Sequence, residues 1–239
     1  MKLPGIYDIF LEKWQDKQTI WIYADPHFGD SELAAAYPNR PSDKEHIKRI
    51  NSKVGKKDVL IILGDCGDPA MCAKLRGYKI LIMGNHDAGR TNYEKKIISR
   101  KFPKKLFQKS EALDEMKRIY PGCQYTITEG CSTFEYWEVS ANNNLFDEIY
   151  QGPLIIGEKL LLSHAPIDIY WGKNIHGHKH DPLWGDDMFH LNVCSDVIGY
   201  EPINLNQLLK NGFTSKIQSI NEFTIEVAKK RNTVNFYND

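Results

Sequence analysis

Three short apolar segments in the first half of the chain, each followed by a polar turn, constrain its fold most. Residues 19–24 run into Asp25, residues 58–63 run towards Asp65, and residues 79–83 run towards Asn85. Amphipathic or loop segments separate them, and this alternation is typical of βαβ units. The carboxyl ends of parallel strands lie at one edge of an open sheet, where α/β proteins bind ligands. The sequence therefore predicts an α/β fold with a polar site at that edge.

The second half of the chain repeats this arrangement. Residues 153–156 and 160–162 predict two strands joined by a turn, and His164 follows the second of them. Residues 189–194 predict a closing strand. More strands that end in histidine-bearing loops are thus expected to contribute to the same site.

Helices are indicated by capping residues and by apolar spacing. One is expected to begin at Ser42, where Glu45 completes a capping box. Another is expected over residues 202–209 and stops before Gly212. Residues 223–228 fit either a strand or a helix.

Composition excludes several classes of protein. No apolar run approaches the roughly 20 residues of a membrane-spanning helix, and the amino terminus lacks the unbroken apolar stretch of a signal peptide. The five cysteines are an odd number without framework spacing, which favours reduced thiols and a cytoplasmic location. Lysine plus arginine equals aspartate plus glutamate at 31 each, so net charge indicates no nucleic-acid footprint.

The middle of the chain differs in composition from the two halves. Residues 90–118 hold ten lysines and arginines against four acids, with a spacing that predicts a helix. No internal repeat or low-complexity linker interrupts the chain. We therefore expect a single domain over residues 1–239, with a basic, partly helical insertion at about 90–150 that forms a lid over the site.

Seven polar side chains follow the predicted strands. They are Asp25, His27, Asp65, Asn85, His164, His178 and His180. Imidazole nitrogens and carboxylate or amide oxygens suit manganese, iron and zinc ions. Seven ligands exceed the need of one ion, but each of two ions receives four if Asp65 bridges them. Such ions lie about 3.5–4 Å apart and clamp the attacking and leaving oxygens of an in-line displacement.

Five ordered motifs make the sequence similar to a known family. They are Asp25-x-His27, Gly64-Asp65-x-x-Asp68, Gly84-Asn85-His86-Asp87, a strand-end His164 and Gly177-His178-x-His180. Over about residues 19–196 they resemble the motifs of the calcineurin-like metallophosphoesterases, of the single-domain bacterial or phage type. The resemblance implies a four-layer α/β/β/α sandwich of mixed β-sheets flanked by helices. It also implies two divalent metal ions, and the ligands leave Mn²⁺, Fe²⁺/Fe³⁺ and Zn²⁺ open.

The resemblance also gives each matching residue a role. The implied ligands of the first metal are Asp25, His27 and His180, and those of the second are Asn85, His164 and His178, with Asp65 as the bridge. A metal-bridging hydroxide is the implied nucleophile. His86 matches the catalytic histidine, which assists the leaving group, and Asp68 matches the acid that orients it. The alternative role for Asp68 is a helix N-cap before Pro69.

The histidine-rich segment admits two registers. We take His178 and His180 as ligands because a glycine must precede the first of them, whereas the competing register uses His176 and His178. Asp30 stands where many family members carry histidine, so a phosphate contact there is in doubt. Asp87 is expected to brace its loop through backbone hydrogen bonds.

Other residues near the motifs carry weaker expectations. Arg40, Arg90 and Lys173 are candidates for binding the substrate phosphate, although each fits a solvated surface charge equally well. His46 is expected at the surface, and the Cys66 side chain is expected to point into the core.

These observations predict a dinuclear metal-dependent hydrolase of phosphoester bonds. Its expected substrate is a phosphorylated small molecule or nucleotide, as a monoester or a diester, and no membrane partner is expected. One alternative is a nuclease or other polynucleotide phosphodiesterase, favoured if the insertion presents its charges on one face. A second alternative is a non-catalytic scaffold on the same fold. Such proteins typically lose ligands or the catalytic histidine, and none is lost here.

Overall fold

The computed structural model describes residues 5–14, 19–87, 93, 97–142, 145–181, 183 and 187–233. Its strands are β1 Ile20–Tyr23, β2 Val59–Leu63, β3 Tyr78–Ile82, β4 Ile97–Pro103, β5 Gln124–Cys131, β6 Glu135–Asn142, β7 Glu148–Tyr150, β8 Leu154–Gly157, β9 Leu160–Leu162, β10 Lys173–His176, β11 His190–Asn192 and β12 Ile203–Asn204. Its helices are α1 Asp8–Trp14, α2 Ser31–Ala36, α3 Asp43–Lys53, α4 Pro69–Cys72, α5 Lys109–Ile119, α6 Leu205–Lys210 and α7 Ile220–Thr233.

The first sheet contains the three strands predicted in the first half of the chain. Its order is β12-β1-β2-β3-β7, with β12 antiparallel to β1 and the other pairs parallel. Every residue of β2 is buried, as expected for an apolar strand covered on both faces. Parallel pairing brings the ends of β1, β2 and β3 to one edge, so the polar turns that follow them are neighbours. The predictions for these strands are confirmed.

A second sheet packs against the first. Its order is β11-β10-β9-β8, with β8 antiparallel to β9 and the other pairs parallel. Strands β8 and β9 form the predicted hairpin, and β11 lies within the predicted closing strand. Ile22 and Ile61 of the first sheet share an apolar cluster with Leu162 and Ile175 of the second. Full burial of such a side chain contributes about 1.5–3 kcal/mol. This shared cluster holds the two sheets face to face and positions their strand ends.

Helices α3 and α4 cover the other face of the first sheet. Ile47 and Ile50 of α3 pack in the same apolar cluster as Leu60 of β2. The Ser42 side chain caps α3 by accepting a hydrogen bond from the backbone N–H of Glu45, as predicted. The fold is therefore an α/β sandwich of mixed sheets and helices, consistent with the expected four-layer α/β/β/α arrangement.

His46 of α3 is buried, so the prediction that it lies at the surface is wrong. Only 1% of it is exposed, because it lies on the same helix face as Ile50. Its ring meets those of Tyr23, Phe28 and Tyr200 edge to face. A hydrogen bond joins its Nε2 to the Tyr23 hydroxyl. Burial lowers the pKa of His46 to about 3, so the ring is neutral at pH 7.

The basic segment in the middle of the chain contributes a third sheet. Strands β4, β6 and β5 pair antiparallel in that order, and α5 packs on the sheet through Met116, Phe102 and Val139. The spacing of residues 90–118 predicts a helix, and this prediction is confirmed in α5 but is wrong in β4. There, pairing with β6 along the whole strand decides the backbone conformation. That this segment is an insertion within a single domain stays a prediction.

The last elements of the chain begin with a short strand and end with a helix. The helix predicted over residues 202–209 begins only at Leu205, because Ile203 and Asn204 pair with β1. The Asn204 side chain caps α6. Residues 223–228, for which strand and helix were both open, lie within α7. In the part of the chain that the structure describes, every helix is too short or too polar to cross a bilayer.

Candidate metal centre

The loops that follow β1 and β2 run side by side across the sheet edge. The backbone N–H of Asp25 donates to the Gly64 carbonyl and that of His27 to the Asp65 carbonyl, which continues the strand pairing. Positive φ angles of 55°, 42° and 52° occur at Asp25, His27 and Asp65, and His178 has 68°. Such strained backbone costs about 1–3 kcal/mol per residue and clusters at functional sites. The strain therefore marks this edge as a site.

Six of the seven predicted ligands form two clusters, in each of which the candidate ligand atoms lie within 4.8 Å of one another. The first cluster is Asp25, His27 and His180, and the second is Asp65, His164 and His178. Asn85 adjoins the second cluster, with its Oδ1 at 2.8 Å from Nε2 of His164. The structure thus brings together all seven side chains, in the two groups that the resemblance implies.

The Asp65 carboxylate belongs to the second cluster and also contacts the first. Its Oδ2 is 3.4 Å from Nε2 of His27 and 3.4 Å from Nε2 of His164. Its Oδ1 accepts a hydrogen bond of 2.9 Å from the backbone N–H of His86. Burial acts to raise the pKa of Asp65, but the nearby imidazoles of His27 and His164 outweigh burial and lower the pKa. An ionised carboxylate in this position can serve both clusters.

Two buried polar atoms of the first cluster have no hydrogen-bond partner among the described residues. They are Oδ1 of Asp25 and Nε2 of His27. An unpartnered buried group of this kind costs about 1–3 kcal/mol. Burial also raises the pKa of Asp25 to about 6, although His164 and His180 oppose the rise. A divalent cation would contact both atoms and favour the ionised carboxylate, so the donors fit a metal ion.

Glycines let the backbone approach the ligands closely. A Cβ at Gly84 would lie 2.2 Å from Oδ1 of Asp65, and a Cβ at Gly177 would lie 2.3 Å from Oδ2 of Asp25. Gly64 has a φ of 83°, and a Cβ there would lie 2.5 Å from Nδ1 of His164. Only glycine leaves space for the carboxylates and the imidazole at these three positions.

Outer contacts fix the orientation of two imidazoles. Nδ1 of His164 lies 2.9 Å from the Leu63 carbonyl, so it carries the proton and leaves Nε2 for the cluster. Nδ1 of His27 lies 3.3 Å from Oδ2 of Asp30. Asp30 also caps α2, and the N–H of Leu33, together with His27, lowers its pKa against the effect of burial. Asp30 thus orients the imidazole of His27, a candidate ligand.

Asp87 braces the loops behind the second cluster, as the sequence predicts. Its carboxylate accepts hydrogen bonds from the backbone N–H groups of Asp65, Cys66 and Gly84, at 2.7, 3.0 and 2.9 Å. The Cys66 side chain points into the core, as expected, and is fully buried. One buried carboxylate therefore ties the loop after β2 to the loop after β3.

Asp196 contacts the first cluster and was missed in the sequence. Its Oδ2 lies 2.7 Å from Nδ1 of His180. Arg40 donates to the same Oδ2 and to the carbonyls of Asp25 and Pro26. The signal was the position of Asp196 after β11, at the sheet edge that carries the other site residues. Only 5% of the Arg40 side chain is exposed, so its guanidinium lies behind the ligands and not on the open side.

A cleft of about 430 Å³ opens beside the first cluster. His27, Asp30, Asp68 and His86 line it. His86 is exposed, and its ring centroid lies 5.2 Å from that of His27. The Asp68 carboxylate accepts a hydrogen bond of 2.8 Å from the N–H of Ala70 and caps α4, which is the alternative role considered for it. His86 and Asp68 thus face the same cleft.

The remaining candidates lie away from the clusters or outside the described residues. Lys173 begins β10, at the end of the strand remote from His178, and its Nζ donates to the Asp187 carbonyl. Arg90 lies outside the described residues. His176 is buried, and its ring centroid is 5.8 Å from that of His190. The structure therefore brings His178, and not His176, to the second cluster.

The family model for calcineurin-like phosphoesterases matches residues 18–211, more than half of the chain, and this range contains the five motifs. A solved structure, of the protein of unknown function AQ665 from Aquifex aeolicus, is similar with a TM-score of 0.48 and 20% identity, over 80% of this chain and 98% of that one. No curated protein matches the sequence. The chain belongs to the calcineurin-like phosphoesterase family.

Proposed function

We propose that this protein is a dinuclear metal-dependent hydrolase of phosphoester bonds. One observation carries the proposal: the Asp65 carboxylate of the second cluster lies within 3.4 Å of both His27 in the first cluster and His164 in the second. The unpartnered atoms of Asp25 and His27 support a cation in the first cluster. The ligand types accept Mn²⁺, Fe²⁺/Fe³⁺ or Zn²⁺, and manganese is our first choice for reconstitution. A cytoplasmic location remains the expectation from the cysteine composition.

The bound ions would supply Lewis-acid polarisation of the phosphoryl oxygens and a water whose pKa falls from 15.7 to about 7. The remaining chemistry belongs to the side chains that line the cleft. His86 is exposed beside His27, where a ring nitrogen can donate a proton to the departing oxygen. Asp68 lines the same cleft and would orient His86 with the carboxylate that also caps α4. Asn85 adds no negative charge to the second cluster, so a metal held there would stay strongly electrophilic.

The substrate class we favour is a small phosphorylated molecule or a nucleotide. A polynucleotide would need an open basic surface, and three cations of the third sheet and α5 are paired with acids. Lys104 bonds to Glu129, and the α5 residues Lys117 and Arg118 bond to acids one turn earlier. These pairs weaken the nuclease alternative. A non-catalytic scaffold is disfavoured because the seven donors and His86 are all retained.

The segment that carries the third sheet contacts Pro69, a residue that lines the cleft. A Cβ at Gly122 would lie 2.6 Å from the Pro69 carbonyl, so the loop after α5 packs directly on the first residue of α4. Asp68, the cap of α4, lines the cleft. This contact supports a lid that limits substrate size and so separates monoester, diester and nucleotide substrates.

The test is a hydrolysis screen of the full chain after removal of metal and reconstitution with each ion. The substrates are chromogenic monoesters and diesters, cyclic nucleotides and single-stranded DNA. We expect about two ions per chain and metal-dependent hydrolysis of a small ester. Cleavage of DNA with a rate that falls steeply with salt would favour the nuclease instead. Two bound ions without hydrolysis of any phosphoester would refute the proposed function.

A further inference from the structure

A group of polar side chains, two of them buried and one partly buried, supports the first cluster from behind. It consists of Asp196, Arg40 and Tyr200. We infer that Asp196 and Arg40 are positioning residues for the first metal alone, and that the second metal has a separate support. This inference rests on the proposed dinuclear function, because it assigns a specific task within that centre.

The first step concerns the orientation of His180. Its Nδ1 lies 2.7 Å from Oδ2 of Asp196, whose side chain is only 1% exposed. The Tyr200 hydroxyl donates to the other oxygen, Oδ1, at 2.8 Å. A ring that donates its Nδ1 proton to a carboxylate must present Nε2 to the metal, and the carboxylate makes that nitrogen a better donor. Asp196 therefore selects both the tautomer and the direction of this imidazole.

The second step concerns the hydrogen bonds that Arg40 donates. Its Nη1 donates to Oδ2 of Asp196 at 2.5 Å, and its Nη2 donates to the carbonyls of Asp25 and Pro26 at 3.0 and 2.5 Å. Those carbonyls belong to the turn in which Asp25 has a φ of 55°. One guanidinium thus holds the strained backbone of Asp25 and the carboxylate behind His180 in a fixed relation. Its planar, multiply donating head suits this task, which a lysine could not reproduce.

The third step is that, among the described residues, the side chains of the second cluster make no hydrogen bond to Arg40 or Asp196, although the backbone N–H of His178 donates to Oδ2 of Asp25. His164 is oriented by the Leu63 carbonyl, and Asp65 is held by Asp87 and by the N–H of His86. Among the described residues, the hydrogen bonds of Arg40 and Asp196 go to the first cluster, to its turn and to neighbouring hydroxyls. Removal of this support should therefore weaken binding of the first metal and leave the affinity for the second metal unchanged.

A metal ion held by Asp196 itself is a competing explanation of these contacts. The atoms of His180, Cys194 and Asp196 do lie within 4.8 Å of one another. The guanidinium of Arg40 already contacts Oδ2 of Asp196 and brings a positive charge to that place. Arg40 thus takes the position that a cation would need, and the three atoms serve as a support instead.

The test measures metal affinity in two single-site backgrounds of the full chain. His178→Ala removes an exposed donor of the second cluster and leaves the first site, whereas His27→Ala leaves the second. Asp196→Asn is added to each, and the metal-free chains are titrated calorimetrically with Mn²⁺. The matched control is Asp114→Asn, the same chemical change at an exposed carboxylate of α5.

We expect Asp196→Asn to weaken Mn²⁺ binding about 10–100-fold in the His178→Ala background. In the His27→Ala background the affinity should stay within about twofold, and Arg40→Lys should show the same asymmetry. Tyr200→Phe removes a single hydrogen bond to Asp196 and is the replacement variant if the other variants do not fold. It should weaken Mn²⁺ binding at the first site alone. Equal losses at both sites, or none at either, would overturn the inference.

These results are independent of the hydrolysis screen. If Asp196→Asn acts on one site while the wild-type chain hydrolyses no phosphoester, the positioning role stands and the proposed function fails. If the wild-type chain hydrolyses esters and Asp196→Asn changes neither affinity, the function stands and the positioning role fails. A wild-type chain that binds no Mn²⁺, Fe²⁺ or Zn²⁺ would overturn both.

Discussion

Gly84→Ala offers a direct test of the geometry of the centre. The φ of Gly84 is not in the left-handed region, so alanine meets no backbone penalty there and its effect comes from the added methyl group alone. That group would lie 2.2 Å from Oδ1 of Asp65, 2.8 Å from the Asp65 backbone nitrogen and 2.9 Å from Cε1 of His164. The backbone nitrogen is held by Asp87 and cannot move aside cheaply. The carboxylate shared by the two clusters must therefore shift.

The expected loss of folding stability in Gly84→Ala has two parts. An extra methyl group in a packed site costs about 1–3 kcal/mol, which in a domain of this size lowers the melting temperature by about 2–4 °C per kcal/mol. The second part of the loss is seen only when a metal ion is added. An ion present at 100 times its dissociation constant stabilises the folded chain by about 2.7 kcal/mol, and the variant should lose this gain because Asp65 and His164 are displaced.

The assay is thermal unfolding of both chains, metal-free and with Mn²⁺. The difference between wild type and Gly84→Ala should widen when the ion is added. The control is Gly152→Ala, because a Cβ at Gly152 meets nothing within 4 Å, and its unfolding should match wild type in both conditions. A Gly84→Ala protein that gains as much stability from Mn²⁺ as wild type would refute the placement of Asp65 in contact with both clusters.

Three further predictions follow from the same contacts. His86→Ala should keep both ions, measured by metal analysis, while turnover falls about 10²–10⁴-fold; an unchanged rate would contradict its role as proton donor. Asp87→Ala should lower the free energy of unfolding by about 3 kcal/mol or more, measured with urea, because three buried N–H groups lose their acceptor, at about 1–3 kcal/mol each. Burial acts to raise the pKa of Glu148, but hydrogen bonds from Lys13 and from aromatic side chains lower it below the usual range. The stability that Glu148 contributes is therefore complete above the ordinary pKa of glutamate and is lost as the pH falls through the lowered value. Urea melts of Glu148→Gln should accordingly show a weaker loss of stability below about pH 4 than those of wild type.

Much of the centre could be predicted because its signals are local. A buried parallel strand needs an apolar run, and the residue after it lies at the binding edge wherever the strand packs. The glycines at positions 84 and 177 follow from the close approach of backbone to a carboxylate, which no other residue allows. Strand ends, the types of the candidate ligands and the choice of the pair His178 and His180 over the pair His176 and His178 were therefore accessible from the sequence.

Other features depend on contacts between distant residues, and such contacts produce no periodic pattern in the sequence. Arg40 and Asp196 are 156 positions apart, and each alone resembles an ordinary surface charge. His46 occupies a polar helix position in the sequence, yet the rings around it exclude water. The basic segment has helical spacing throughout. Residues of β4 nevertheless form a strand, because they pair with β6 through hydrogen bonds along the whole length of β4.

The amino-acid sequence by itself determined which residues can form the metal centre, since apolar runs, glycines and donor types act over a few neighbouring positions. Only the tertiary structure decided which side chains hold those donors in place, because a hydrogen bond between distant segments depends on how the two sheets pack.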